Sequence, residues 1–493
     1  VGKWSVTPLP KPLWRTRGSG IPLNRSFLFG SFRSAPDASG DFILLDGYNG
    51  ASRNPYHTFS ILELRLDGAT LLKGYRNQVL TKADGMVEPK VAMDAGLLCR
   101  DGIGQTVVAV AEVPKAAFSS WRRALIQRLG RYALIVDDLT FRTDSDNMQV
   151  EFSWETAGGT WDSKSDAIII QGDKQSPYEL RTADPLDVRG RGVIRMFWNG
   201  AVNKDQHGMF FHLLRRRPDD SQQVPACTRI AENAAVLGLP LPALAVVGEH
   251  DGVKADLALV ATDHLHGRRL AAAALDGAAL LSADPPVNVD WDFSSGRLRV
   301  VAPEDTQIRL AIGQGPLTVD GAGVKHEPGP DGQTVLRLRA GRHTMEGAKP
   351  HPQILSRTTG HLRSLLAHSK EQRLQATAAA SSTQAGPVVP ELPVAMTVKV
   401  TPSKIVHLST IPLGKGSLIC AVAGKTAHLL TAEGKSVRTL QADADIRMAH
   451  WWPEHKLLLT GCVDEKVIAF GEDGERKWEF VSEMDPAVYA AAK

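Results

Sequence analysis

Residues 61–72 read Ile61-Leu62-Glu63-Leu64-Arg65-Leu66-Asp67-Gly68-Ala69-Thr70-Leu71-Leu72. Apolar residues alternate with Glu63 and Arg65, the period of a strand with one buried face. Asp67-Gly68 then supplies two residues that tolerate positive φ, which closes a tight hairpin. The same grammar recurs outward from this stretch. Asp-Gly also stands at Asp46, Asp84, Asp101, Asp251, Asp276, Asp320, Asp331 and Asp473, and Asn-Gly at Asn49 and Asn199. Short apolar runs lie between these turns, at 42–45, 106–110, 132–136, 167–170, 209–214, 298–301 and 335–338. No strand-helix-strand rhythm interrupts them. Residues 25–345 are therefore expected to be all-β, a large antiparallel super-sandwich.

The rest of the chain departs from that pattern. Thr358 or Thr359 is placed to cap a helix, and Leu362, Leu365, Leu366 and Leu374 fall roughly on one face of it. Residues 376–393 are rich in Ala, Ser, Thr and Pro and read as a linker. The last hundred residues repeat a strand, a turn, a strand and a Gly-containing acidic turn, with Gly434 and Gly474 40 positions apart. That is the period of one β-propeller blade. The expected organisation is a super-sandwich over 1–347, one short helix and linker over 348–395, and an incomplete propeller of about two blades over 396–493.

Composition narrows the function classes. With 493 residues the chain is long enough for several cores. Lys+Arg 57 against Asp+Glu 54 leaves +3, too little to favour nucleic acid, and Trp121-Arg122-Arg123 and Arg215-Arg216-Arg217 read as charge flanking strands. No apolar stretch is long enough to span a membrane. Cys99, Cys227, Cys420 and Cys462 are widely spaced without a CxxC and read as small buried hydrophobes. The chain begins at Val1 and closes on an Ala-Ala-Ala-Lys tail, which reads as a fragment or a processed product.

Residues 27–154 carry a more specific pattern. Ser31-Phe32-Arg33 precedes Asp41-Phe42-Ile43-Leu44-Leu45-Asp46-Gly47-Tyr48-Asn49-Gly50, then Tyr56-His57, then Arg76-Asn77-Gln78-Val79-Leu80. Trp121-Arg122-Arg123 follows, then Gly130-Arg131-Tyr132-Ala133-Leu134-Ile135-Val136-Asp137-Asp138 and Trp154. This order resembles the β-sandwich of the heparinase II/III-like polysaccharide lyases, over about a quarter of the chain. The resemblance implies β-elimination of uronate-containing polysaccharides. In that reaction a base removes the proton α to the sugar carboxylate and an acid protonates the leaving oxygen. It also implies secretion or a periplasmic location, and an acidic polysaccharide as partner. The family's catalytic Tyr, Asn and one His lie on an upstream helical toroid that has no counterpart here. An upstream toroid and downstream blades of the same protein are thus expected partners.

Carried over residue by residue, the resemblance assigns His57 to the cleft, with Tyr56, Arg76 and Asn77 at the substrate. A hydrogen-bonded strand histidine is the competing reading of His57. The family's zinc-ligand positions read Phe59, Lys73 or Gly74, and Arg76, none of which replaces a zinc ligand. No metal and no cofactor is expected. Tyr48, Tyr75 and Trp161 are further aromatics able to stack on sugars, with core packing as the default. Asp263-His264-Leu265-His266, and His207 and His212 near Asp205, are weaker metal pairs. No GxSxG occurs, and Gly313-Gln314-Gly315 lacks the rest of a P-loop. Two readings remain: the β-rich part of a lyase, inactive alone, or a carbohydrate-binding scaffold that lost the chemistry.

Overall fold

A computed structural model describes residues 2–15, 17–49, 59–83, 86, 89, 91–163, 166–171, 177–184, 186–190, 193–217, 227–238, 242–326, 332–383, 405–413, 416–462, 464 and 466–481. Strands make up 64% and helix 6%, so the chain is all-β. It divides into two compact units, Val1–Ala380 and Ser381–Lys493.

In the first unit the apolar run 132–136 explains the layering. Strand Tyr132–Phe141 lies inside an eight-stranded antiparallel sheet, between His207–Arg216 and Ser119–Arg128. Ala133, Ile135 and Leu139 face one core, with Phe32, Ile43, Leu64, Trp121 and Trp154. Tyr132, Leu134 and Val136 face another, with Leu237, Ala245, Leu257 and Leu259. A strand buried on both faces needs no polar alternation, which is why this run is continuous. The sheet is thus a middle layer. A five-stranded sheet, beginning Lys3–Pro8, and a four-stranded sheet contribute to the first core, and a twelve-stranded sheet covers the other side. The twelve-stranded sheet has a further core of its own around Trp291, Leu281 and Leu310.

The turn chemistry holds at Asp67-Gly68, Asp251-Gly252, Asp276-Gly277 and Asp320-Gly321, where both residues have positive φ. It fails at Asp101-Gly102 and Asn199-Gly200, which lie inside strands Gly96–Ile103 and Val193–Val202. Gly200 is there for space: a Cβ would stand 2.6 Å from the Trp198 ring.

The helix also differs from expectation. It runs Pro352–Thr383, 32 residues, starting before Thr358 and continuing into the stretch read as linker. Pro352 fits the first helical position, where its missing N–H costs nothing. Ala378-Ala379-Ala380 has the highest helix propensity available and continues the helix. Leu362 is fully buried, and Ile354, Leu355, Leu365 and Leu366 pack on the core of the twelve-stranded sheet. The remainder of the linker, 384–393, lies outside the described residues.

The second unit holds two four-stranded antiparallel meanders. One comprises Ile405–Leu413, Gly416–Ala423, Thr426–Leu430 and Ser436–Gln441. The other comprises Ile446–Trp452, Leu457–Cys462, Lys466–Gly471 and Arg476–Val481. One apolar cluster joins them.

Candidate functional site

The four-stranded sheet of the first unit presents a polar face. Its order is Asp187–Arg189, Val193–Val202, Ser145–Glu155, Gln78–Ala83. Met148, Val150, Phe152 and Trp154 point into the core. Gln149, Glu151, Ser153 and Glu155 therefore occupy the opposite face. Register places three rows across it, since directly opposed residues share a face. These are Asp187–Phe197–Glu151–Leu80, Arg189–Arg195–Ser153–Gln78, and Asn199–Gln149–Lys82.

Glu151 is the hub. Its side chain is 9% exposed, and it accepts a hydrogen bond from Ser153 Oγ at 2.9 Å. Arg195 Nε lies 3.1 Å from one carboxylate oxygen and Lys82 Nζ 3.7 Å from the other. Both cations are about half exposed, at 51% and 53%. The Arg189 guanidinium lies 5.2 Å from the Phe197 ring centroid. Gln78 is buried, and its Oε1 has no hydrogen-bond partner among the described residues.

Arg76 stands at the end of this face. Its side chain is exposed, and its backbone N–H donates to Glu155 Oε2 at 3.2 Å. Asn77 is placed differently from the substrate role expected of it. It is fully buried, with Nδ2 donating to the Ile61 carbonyl at 2.8 Å and Oδ1 accepting from Glu155 N–H at 2.7 Å. Its amide clasps two sheets together. Tyr56 and His57 lie outside the described residues. Phe59 is buried at φ 63° with its ring 5.4 Å from that of Trp121, and Lys73 is exposed. Tyr75 is 44% exposed, whereas Tyr48 is buried and Trp161 packs against the core.

Three residues of the family-like pattern, Trp121, Arg123 and Asp137, are interior. Arg123 and Asp137 are both fully buried. Arg123 Nε and Nη2 donate to the two oxygens of Asp137 at 2.7 and 2.9 Å, and Nη1 to the Asn77 carbonyl at 2.8 Å. Trp121 Nε1 donates to Asp137 at 2.8 Å. His212 Nε2 stands 3.5 Å from Asp137, and neither ring nitrogen has a hydrogen-bond partner among the described residues. Burial pushes the His212 imidazole down to about 4, against the opposing pull of Asp137. Trp121, Arg123 and Asp137 thus build the sandwich.

The remaining histidine clusters are also structural. His264 Nδ1 lies 2.6 Å from Asp263 and Nε2 lies 2.7 Å from the Tyr132 hydroxyl. Burial drives His264 down and Tyr132 up, so both stay neutral and the phenol donates to Nε2. Asp290 joins the neighbouring cluster by accepting from Arg128 at 2.7 Å and Thr106 at 2.8 Å. Burial pushes Asp290 up, but the His266 imidazole, 3.7 Å away, and the Arg128 charge prevail and hold it at about 2. His207 is exposed and His212 interior, so they do not converge. Among the described residues no three His, Cys, Asp or Glu side chains are grouped to hold a metal. Nor, among those residues, is any helix long and apolar enough to cross a membrane.

No protein family's sequence profile matches the chain, and no curated protein matches it. Among solved structures it is similar to heparan sulfate lyase HepC from Pedobacter heparinus, at 12% identity and TM-score 0.35, over 44% of this chain and 40% of that one. It is also similar to heparinase III, at 13% identity and TM-score 0.34, over 47% of this chain and 41% of that one. The matched part spans about two fifths of those chains.

Proposed function

We propose that this chain is the β-rich part of a heparinase II/III-like polysaccharide lyase, with the solvent face of the four-stranded sheet forming one wall of a carbohydrate cleft. The observation that carries the reading is the pair of half-exposed cations about Glu151, Arg195 and Lys82, with Arg76 at the end of the same face. Guanidinium groups bind carboxylate and sulfate through paired N–H donors. The amides Gln149 and Asn199 offer hydrogen bonds to sugar hydroxyls. Tyr56 and His57 are assigned to the same cleft on the sequence resemblance. The proton-transfer groups for elimination come chiefly from the helical toroid expected upstream. The protein acts outside the cytoplasm, where such polysaccharides occur.

The test is binding of heparan sulfate oligosaccharides to the purified chain by calorimetry. Arg195→Ala and Arg76→Ala are each expected to weaken it roughly tenfold, about 1.4 kcal/mol. Binding unchanged in both variants, or no binding by the parent chain, would reject the wall.

A second reading is favoured by one observation. Phe59, Lys73 or Gly74, and Arg76 stand where the family carries zinc ligands. A chain that kept the sandwich and its polar face while losing those ligands is a non-catalytic carbohydrate-binding scaffold. An upstream segment bearing Tyr, His and Asn on helices supports the lyase. Its absence supports the scaffold.

A further inference from the structure

The solvent face of the five-stranded sheet carries a cavity of its own. Register across strands Phe27–Arg33, Phe42–Asp46 and Ile61–Leu66 sets Arg33, Phe42 and Arg65 in one row. Leu44 and Glu63 are directly opposed in the next row of the same face. The alternate residues Phe32, Ile43 and Leu64 lie in the core, so these rows face solvent. A cavity of about 230 Å³ opens on them, and Asp37 and Asp41 of the connection 34–41 complete its lining. Pockets for drug-sized molecules run to roughly 300–1,000 Å³, so this one suits a single ring.

The hydrogen-bonding groups are held in place before any ligand arrives. The Phe42 ring carries two guanidiniums, with Arg33 Cζ 4.8 Å and Arg65 Cζ 5.5 Å from its centroid. Glu63 Oε1 accepts from Arg65 Nε at 2.5 Å. Arg33 is exposed and enters no ion pair among the described residues. Asp37 Oδ1 accepts from the Ser39 N–H at 3.0 Å and the Ser39 hydroxyl at 2.6 Å. Asp37 Oδ2 and Glu63 Oε2 meet no donor among the described residues. Asp41 is buried, and its two oxygens accept from the Asp67 and Gly130 N–H groups at 2.5 and 2.6 Å.

Charge decides what fits. An anion entering this cavity meets three carboxylates, and a cation meets two guanidiniums. Guanidinium only donates and carboxylate only accepts, whereas a hydroxyl does both without charge. We propose that the cavity binds one uncharged sugar ring. Arg33 donates to its hydroxyls, Asp37 and Glu63 accept from them, and Phe42 and Leu44 meet its C–H groups. The site lies on a different sheet from the proposed cleft wall and stands or falls without it.

NMR titration of the full chain with the methyl glycosides of glucose, galactose and mannose tests this. At least one is expected to bind with millimolar affinity. Arg33→Ala and Glu63→Gln should each weaken it roughly tenfold, the scale of one hydrogen bond to a charged group. Unfolding midpoints of both variants, expected to match the parent, show that they fold. Arg195→Ala should leave glycoside binding intact, and Arg33→Ala should leave heparan sulfate binding intact, so the two sites fail separately. Methyl glucuronide should bind less tightly than methyl glucoside. No binding by any of the three glycosides, unchanged binding in both folded variants, or tighter binding of the glucuronide overturns the proposal.

Discussion

At the scale of residues, the family-like pattern resolves into a buried charge network. Arg123 and Asp137 neutralise each other with no solvent to help, and Trp121 and the Asn77 carbonyl take the remaining hydrogen-bonding capacity. Removing one partner of such a pair leaves the other charge stranded and costs about 3–5 kcal/mol. Asp137→Ala is therefore expected to lower the unfolding midpoint of the first unit sharply in denaturant titration. Replacing both residues by apolar ones should recover most of the loss. His212 makes a second prediction. It is neutral when buried, with a value near 4 against 6.5 for a free imidazole. Between those values the unfolded chain binds more protons than the folded one, so stability rises with pH. The contribution is complete above about pH 6.5 and declines as pH falls toward 4, by roughly 3 kcal/mol at 1.36 kcal/mol per unit. His264 moves in the same direction. His212→Leu should flatten the pH dependence of the unfolding midpoint in that window. An unchanged slope would mean that the folded chain protonates this imidazole freely.

Elements show where sequence reading succeeds and where it stops. The hairpin 61–72 was legible because alternation and Asp-Gly say the same thing, and the strands pair in that register. The continuous run at 132–136 was legible as a strand, but not as the middle of three layers, since its two buried faces depend on partners far along the chain. Asn199-Gly200 misled because glycine there serves the Trp198 ring rather than a turn. The candidate face was missed although Gln149-Val150-Glu151-Phe152-Ser153-Trp154-Glu155 alternates strictly. Any surface strand reads that way, and only register with Arg195, Arg189 and Lys82 turns it into rows of charge. The helix was legible in its leucines, and these make a prediction. Leu362 is fully buried against the twelve-stranded sheet, while Arg363 beside it is exposed. Leu362→Ala should cost about 2–5 kcal/mol in unfolding free energy, and Arg363→Ala no more than about 0.5 kcal/mol. Equal effects would show that the helix is not anchored through this face.

The whole molecule must be weighed against the chemistry of elimination. Removing a proton α to a carboxylate needs a base in contact with it, neutralisation of that carboxylate, and an acid at the leaving oxygen. On the proposed reading, Arg195, Lys82 and Arg76 on the solvent face of the four-stranded sheet would meet the second requirement. That face supplies neither of the others among the described residues: Glu151 is engaged by Ser153, Arg195 and Lys82, and Glu155 by the Arg76 backbone. The described histidines and tyrosine with strongly shifted protonation are interior, His212 beside Asp137 and His264 against Tyr132. His57 is left from the resemblance, which places the family's remaining proton-transfer groups on the helical toroid expected upstream. The isolated chain is therefore expected to bind acidic polysaccharide without cleaving it. Heparin, heparan sulfate, alginate and chondroitin incubated with the chain should give no rise in ultraviolet absorbance, the signature of the unsaturated product. A steady rise abolished by His57→Ala would place the complete proton-transfer machinery inside these residues and end the assignment of the base to an upstream helical domain.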